Sequence, residues 1–242
     1  MLCGGVASGA WRDKTAGLPW LEYQSSHRLN SEYPYLWFVT QDSLGRLLVG
    51  GSGLSVFDGQ DWKSYPAGEA VTLRAIARDG QGRLWAAVLN GLGYYTESEL
   101  GNFQYHSILE HLPEAERQVG HVWGCAVVGR SVFFVGEKML YRWDGSAFKT
   151  WPFPGGSRLL PSTLDGETWV HHRETGLYRL TEQGPMLKVP AEQLPAGIGI
   201  QALTRDAQGV LALGSAGFFR LSAPLKPAFS EELNRFLSNS TP

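Results

Sequence analysis

WFVTQDSLGRLLVGGSGLSVFDGQDWKSY, residues 37 to 65, decides the fold, because its layout returns along the chain. It reads as an apolar strand, a D-x-x-G turn, a second strand, a glycine-rich turn and a third strand. An Asp-Gly turn and an outer strand opened by Trp62 follow. The same order recurs in RAIARDGQGRLWAAVLNGLGYY, residues 74 to 95, and in QALTRDAQGVLALGSAGFFRL, residues 201 to 221. Two looser copies lie between them, WGCAVVGRSVFFVGEKMLYRWDGSAFKTW from Trp123 and LLPSTLDGETWVHHRETGLYRL from Leu159. The first-turn glycines Gly45, Gly82, Gly129, Gly166 and Gly209 are 37, 47, 37 and 43 residues apart, and the span from 45 to 209 over four gaps gives a mean of 41. A strand-rich period of that length is one four-stranded blade, so the reading is an all-β propeller with five blades in this chain, a partial ring.

The residues of each copy agree with that layout. In D-x-x-G, the carboxylate of Asp42, Asp79 or Asp206 can accept backbone N–H groups inside the turn while the glycine takes the positive φ that closes it. The runs RLLVG, RLWAA, SVFFVG, ETWVHH and VLALG carry the β-branched and aromatic residues of a buried strand. One blade cannot cover both faces of its own sheet, so Trp85, Phe133 and Trp169, all on second strands, are expected to pack between blades. Trp143-Asp144 occupies the place of Phe57-Asp58 in the first copy and is therefore a hairpin turn, not a WD signature.

Composition narrows the class. The 21 Lys+Arg balance 23 Asp+Glu, which leaves no positive field for a polyanion and argues against nucleic acid as a partner. With 30 Gly and 13 Pro there is no room for coiled coils or a helical bundle, and no apolar run approaches the roughly 20 residues that cross a bilayer. Cys3 and Cys125 are too few for a disulfide framework or a zinc site. Residues 1–34 are read as an N-terminal segment: MLCGGVASGA resembles the tail of a secretory signal, and Trp20-Leu21-Glu22-Tyr23 could supply a strand that closes the ring. Blades one to five occupy 35–229. Residues 230–242 read as a C-terminal helix or tail, with Leu233, Phe236 and Leu237 at helical spacing behind Ser230.

Through Asp42, Gly45, Val49-Gly50, Gly53-Leu54, Phe57-Asp58-Gly59, Trp62 and Tyr65, then Asp79, Gly82, Leu84-Trp85 and Gly91-Leu92, the chain resembles the two-component regulator propeller repeat. The resemblance spans roughly residues 35 to 221 and is strongest in copies one, two and five. It implies a periplasmic or extracellular ligand-sensing module of a bacterial regulator, in a family whose rings usually have seven blades and whose ligands are often carbohydrates. Any kinase output and any membrane helix would lie in segments outside this chain. Further blades or a second copy would be partners that complete the ring.

No G-x-S-x-G, H-E-x-x-H, phosphate-binding loop or Cys/His constellation occurs, so the expectation is a protein without catalysis, metal or cofactor. His171-His172 are adjacent on a strand and point to opposite faces, which suits structural roles better than chelation. Glu114, Glu116 and Arg117 fall in a polar loop or short helix. Propellers bind ligands where the innermost strands begin. Counting back five residues from the turn aspartates gives Trp37, Arg74 and Gln201, and hydrophobic register adds Trp123 and either Arg158 or Leu159. That mixture suits a sugar, whose apolar ring face stacks on an indole while Arg or Gln binds hydroxyls. The competing readings are a lactonase- or lyase-like propeller enzyme and a plain interaction scaffold.

Overall fold

The computed structural model describes residues 35–69, 72–153, 161–194, 199–214 and 217–221, and the backbone of 226–227. Among these described residues, twenty strands form five four-stranded antiparallel sheets, each built from consecutive strands. Blade one comprises β1 (Phe38–Gln41), β2 (Leu47–Gly50), β3 (Leu54–Phe57) and β4 (Trp62–Tyr65). Blade two comprises β5 (Leu73–Arg78), β6 (Leu84–Val88), β7 (Gly91–Glu97) and β8 (Phe103–Ser107). Blade three holds β9 (Val122–Val128), β10 (Ser131–Gly136), β11 (Met139–Trp143) and β12 (Phe148–Pro152). In blade four these are β13 (Ser162–Leu164), β14 (Glu167–His172), β15 (Gly176–Thr181) and β16 (Gly184–Pro190). Blade five has β17 (Ile200–Asp206), β18 (Gly209–Gly214), β19 (Gly217–Arg220) and β20 (Lys226–Pro227). The short β20 pairs with β19 as the outer strand of blade five. The closing strand expected at residues 20–23, the helix expected at 230–237 and Arg158 lie outside the described residues.

The blades stack because second strands are apolar on both faces. All five residues of β6 and all six of β10 are buried. Their pleat sends alternate side chains to opposite neighbours. Leu84, Ala86 and Val88 join Leu48, Leu54 and Val56 of blade one, whereas Trp85 and Ala87 join Val132, Phe134, Tyr141 and Trp143 of blade three. Phe133 and Val135 turn the other way, onto Val170 and Leu180 of blade four. Leu164 and Leu177 of blade four meet Ile200, Leu203 and Ala212 of blade five, with Trp169 packed alongside. Four apolar clusters thus fill four successive blade boundaries. Trp85, Phe133 and Trp169 pack as expected.

Polar bonds pin three of these boundaries at the end where the first turns lie. Arg46 of blade one forms a two-pronged pair with Glu97 of blade two, at 2.6 and 3.0 Å, and also binds Asp42. The Glu97 carboxylate, and Asp42 after it, raise the Arg46 pKa despite burial. Arg205 of blade five donates to Asp165 of blade four at 2.6 Å, and the Glu182 carboxylate of blade four accepts the Arg130 N–H of blade three.

The turns explain why two copies look degenerate. In blades one and two the Asp42 and Asp79 carboxylates accept two turn N–H groups each plus the side chain of Arg46 or Arg83, and Gly45 and Gly82 sit at φ 80° and 86°. Burial alone would raise the pKa of Asp79, but the Trp85 and Arg83 donors and the turn N–H groups outweigh it and hold the carboxyl below its ordinary value. Blades three and four use two-residue hairpins instead, Gly129-Arg130 and Asp165-Gly166, the latter with both residues at positive φ. Such turns match strand twist by themselves and need no carboxylate staple. Blade five departs from its sequence pattern: Asp206 pairs directly with Gly209, so its D-x-x-G closes a tight hairpin. Val210 stands where Arg46 and Arg83 stand in the first two copies, and Arg220 of β19 binds Asp206 in its place, at 2.7 Å through both terminal nitrogens.

Candidate ligand site at the inner-strand mouth

The residues found by counting back from the turn aspartates share a backbone feature. In blades two, three and five the register between the first two strands shifts near the start of the inner strand, and the unpaired extra residue is Arg74, Trp123 or Gln201. A bulge bends its strand and re-aims one side chain. Trp37 holds the equivalent place in blade one, just ahead of β1, with its N–H donated to the Gly50 carbonyl at 2.9 Å.

Three of these side chains come together across three blades. The Arg74 guanidinium lies 3.9 Å from the Trp123 ring centre and 4.9 Å from that of Trp37. The two indoles are 6.1 Å apart at 63°. His121 stacks on Trp123 at 5.2 Å with the planes 10° apart. Arg74 is buried at 6% exposure with its guanidinium over both indoles, where a cation–ring contact is worth about 0.5 to 2 kcal/mol. Trp37 is 38% exposed and presents open indole surface. Trp123 Nε1 and His121 Nδ1 are shielded from solvent without a hydrogen-bond partner among the described residues. Gln201 is exposed and takes no part in the stack; its carbonyl accepts from the Ser162 hydroxyl at 3.3 Å.

His121 was missed in the sequence, although it precedes Trp123 by two, the strand period that places side chains on one face. The other candidates resolve into structure. His171 and His172 are each 2% exposed. His171 Nδ1 accepts the Ile200 N–H at 3.2 Å, and His172 Nδ1 is bound by the Thr175 hydroxyl at 2.9 Å. Burial, then the neighbouring His172 and Arg173 charges, pulls the His171 pKa down to about 4. Glu114–Glu116 is a 3-10 turn, and Arg117 donates to the carbonyls of Leu112 and Glu110. Cys125 sits in the core, its thiol 3.5 Å from the Trp85 carbonyl, and burial pushes its pKa up to about 12.

No family model matches the chain, and no curated protein matches it. Solved structures do. The Dos1 propeller superposes with a TM-score of 0.60 at 12% identity, over 81% of this chain and 59% of that one. Virginiamycin B lyase from Staphylococcus aureus gives a TM-score of 0.57 at 13% identity, over 81% and 71%. The extracellular domain of a putative hybrid two component system from B. thetaiotaomicron gives 0.55 at 18% identity, over 79% of this chain and 27% of that one. At these identities the likeness shows the propeller fold, which an extracellular two component domain and a lyase both use.

Proposed function

We propose that this chain is a non-catalytic, ligand-sensing propeller of a two-component regulator, placed in the periplasm or outside the cell, and that it takes an oligosaccharide at the inner-strand mouth. The observation that carries the reading is the convergence of Trp37, Arg74 and Trp123 from three successive blades into one stack with the Trp37 face open to solvent. A pyranose ring has an apolar face that such an indole can cover. The resemblance of the D-x-x-G repeats to regulator propellers, and the structural likeness to an extracellular two-component domain, support the same class.

The test is a thermal-shift and calorimetric screen of neutral and acidic oligosaccharides, repeated on Trp37→Ala. The reading expects at least one saccharide to raise the melting temperature, with about tenfold weaker binding in the variant. A protein that binds no saccharide, or that binds one equally well without Trp37, overturns it. Turnover of a bound saccharide or lactone would move the chain to the enzyme class.

A further inference from the structure

A second cavity lies on blade two, at the same end of the blades as the stack. It is a cleft of about 440 Å³ lined by Ala67, Glu69, Leu89, Asn90, Tyr105 and Ser107, among others. That volume falls in the range of small-molecule sites. Its walls come from the loop leading out of blade one, the turn between β6 and β7, and the outer strand β8.

Glycines shape the cleft around one aromatic ring. At Gly93 a Cβ would come within 2.5 Å of the Tyr105 hydroxyl, and at Gly68, with φ of +63°, it would stand 3.5 Å from the ring edge. β7 can therefore close on Tyr105 only because Gly93 lacks a side chain, while at Gly68 the space is ordinary and the positive φ is what favours glycine. Asn90 forms the rim in a left-handed conformation, φ 55°, held by its N–H bond to the Gly120 carbonyl at 2.8 Å. The Tyr105 ring is further fixed edge-on to Tyr95 at 5.3 Å. Burial, and then the Glu110 charge, raises the Tyr105 pKa, which keeps the phenol protonated and its ring neutral.

The charge of the lining selects the ligand. Among the described residues that line the cleft, Glu69 is the one charged residue and none is cationic. Asn90 and Ser107 add neutral oxygens, and Glu110 stands near enough to act on the Tyr105 phenol. His111 lies 3.8 Å from Glu110, and Arg117 is turned to the carbonyls of Glu110 and Leu112. Glu69 is exposed at the rim, so a cation can pair with its carboxylate while it covers the π face of Tyr105, two attractions that a neutral guest does not gain. We propose that this cleft binds a small organic ammonium ion, a primary amine or a quaternary ammonium head, with its charge between the Glu69 carboxylate and the Tyr105 ring and its carbons against Leu89 and Leu109.

The test uses choline and putrescine as probes, with glycerol as the neutral control, by calorimetry and by NMR of the full chain. Either cation is expected to saturate in the millimolar range, with Glu69→Gln weakening it about fivefold to tenfold. Leu109→Trp, which fills the cleft, is expected to abolish binding, while Trp37→Ala leaves it unchanged. That last control separates this cleft from the saccharide reading of the stack, so either can fail alone. The assignment is overturned if neither cation saturates by about 100 mM. It is also overturned if Glu69→Gln has no effect, or if glycerol binds as well as the cations do.

Discussion

His171 gives the fold a built-in acid sensitivity that can be worked through. Its ring is 2% exposed at the boundary of blades four and five, and its Nδ1 accepts the Ile200 N–H. Protonation of that nitrogen would break the bond and leave a charge in a dry site. The folded chain therefore resists the proton down to about pH 4, while the unfolded chain takes it near 6.5. Between these values the unfolded state binds more protons, so stability is fully present above about pH 6.5 and is lost as pH falls toward 4. Each pH unit across the window is worth about 1.4 kcal/mol, which puts the loss from this one ring at about 2 to 3 kcal/mol after allowance for screening.

The perturbation is His171→Asn, which keeps a short acceptor for the Ile200 N–H and removes the titration. Urea unfolding of both proteins would be measured between about pH 7 and pH 4. The variant is expected to be less stable at neutral pH, with the gap closing or reversing at the acid end. Parallel loss of stability in both proteins would refute the reasoning, as would a His171 imidazole that titrates near its ordinary value in the native protein.

Trp85→Ala is expected to cost about 3 to 5 kcal/mol in chemical denaturation, because the indole fills the boundary of blades two and three and bonds Asp79 at 2.9 Å. A loss below about 1 kcal/mol would contradict that packing. A double-mutant cycle of Arg46→Met and Glu97→Gln should show a coupling of about 1 kcal/mol that shrinks in salt, since the pair is partly exposed. In a Cys3→Ser background, where Cys125 is the sole thiol, a disulfide reagent should label the native protein at the rate of global unfolding, because the thiol is buried and its pKa stands at about 12. Rapid labelling under native conditions would show that the core around Cys125 opens.

Much of this architecture was legible because D-x-x-G turns and apolar runs report local chemistry. Asp42 and Asp79 staple their own turns, and the count of five residues back from Asp79 and Asp206 reached the bulge positions Arg74 and Gln201. What escaped depends on partners distant in sequence. Glu97 meets Arg46 across 51 residues, and no local pattern marks Glu97 as its partner. The tight turn of blade five arises because Asp206 pairs directly with Gly209, a change of one residue in register that leaves the motif intact. His171 and His172 were separated correctly by strand alternation, but their burial follows from blades three and five closing over them, through Phe153 and Ile200. The cleft over Tyr105 rests on small residues from three separate segments, which no single motif announces.

The most direct measurement is the indole N–H spectrum of the protein during a titration with a saccharide identified in the screen. Trp123 Nε1 has no hydrogen-bond partner among the described residues, and Trp37 lies at the open edge of the stack, whereas Trp85 Nε1 is bonded to Asp79 far from the mouth. The account predicts that the Trp37 and Trp123 resonances move together and saturably while Trp85 stays still. Movement confined to other tryptophans, with Trp37 and Trp123 unchanged at saturation, would contradict it.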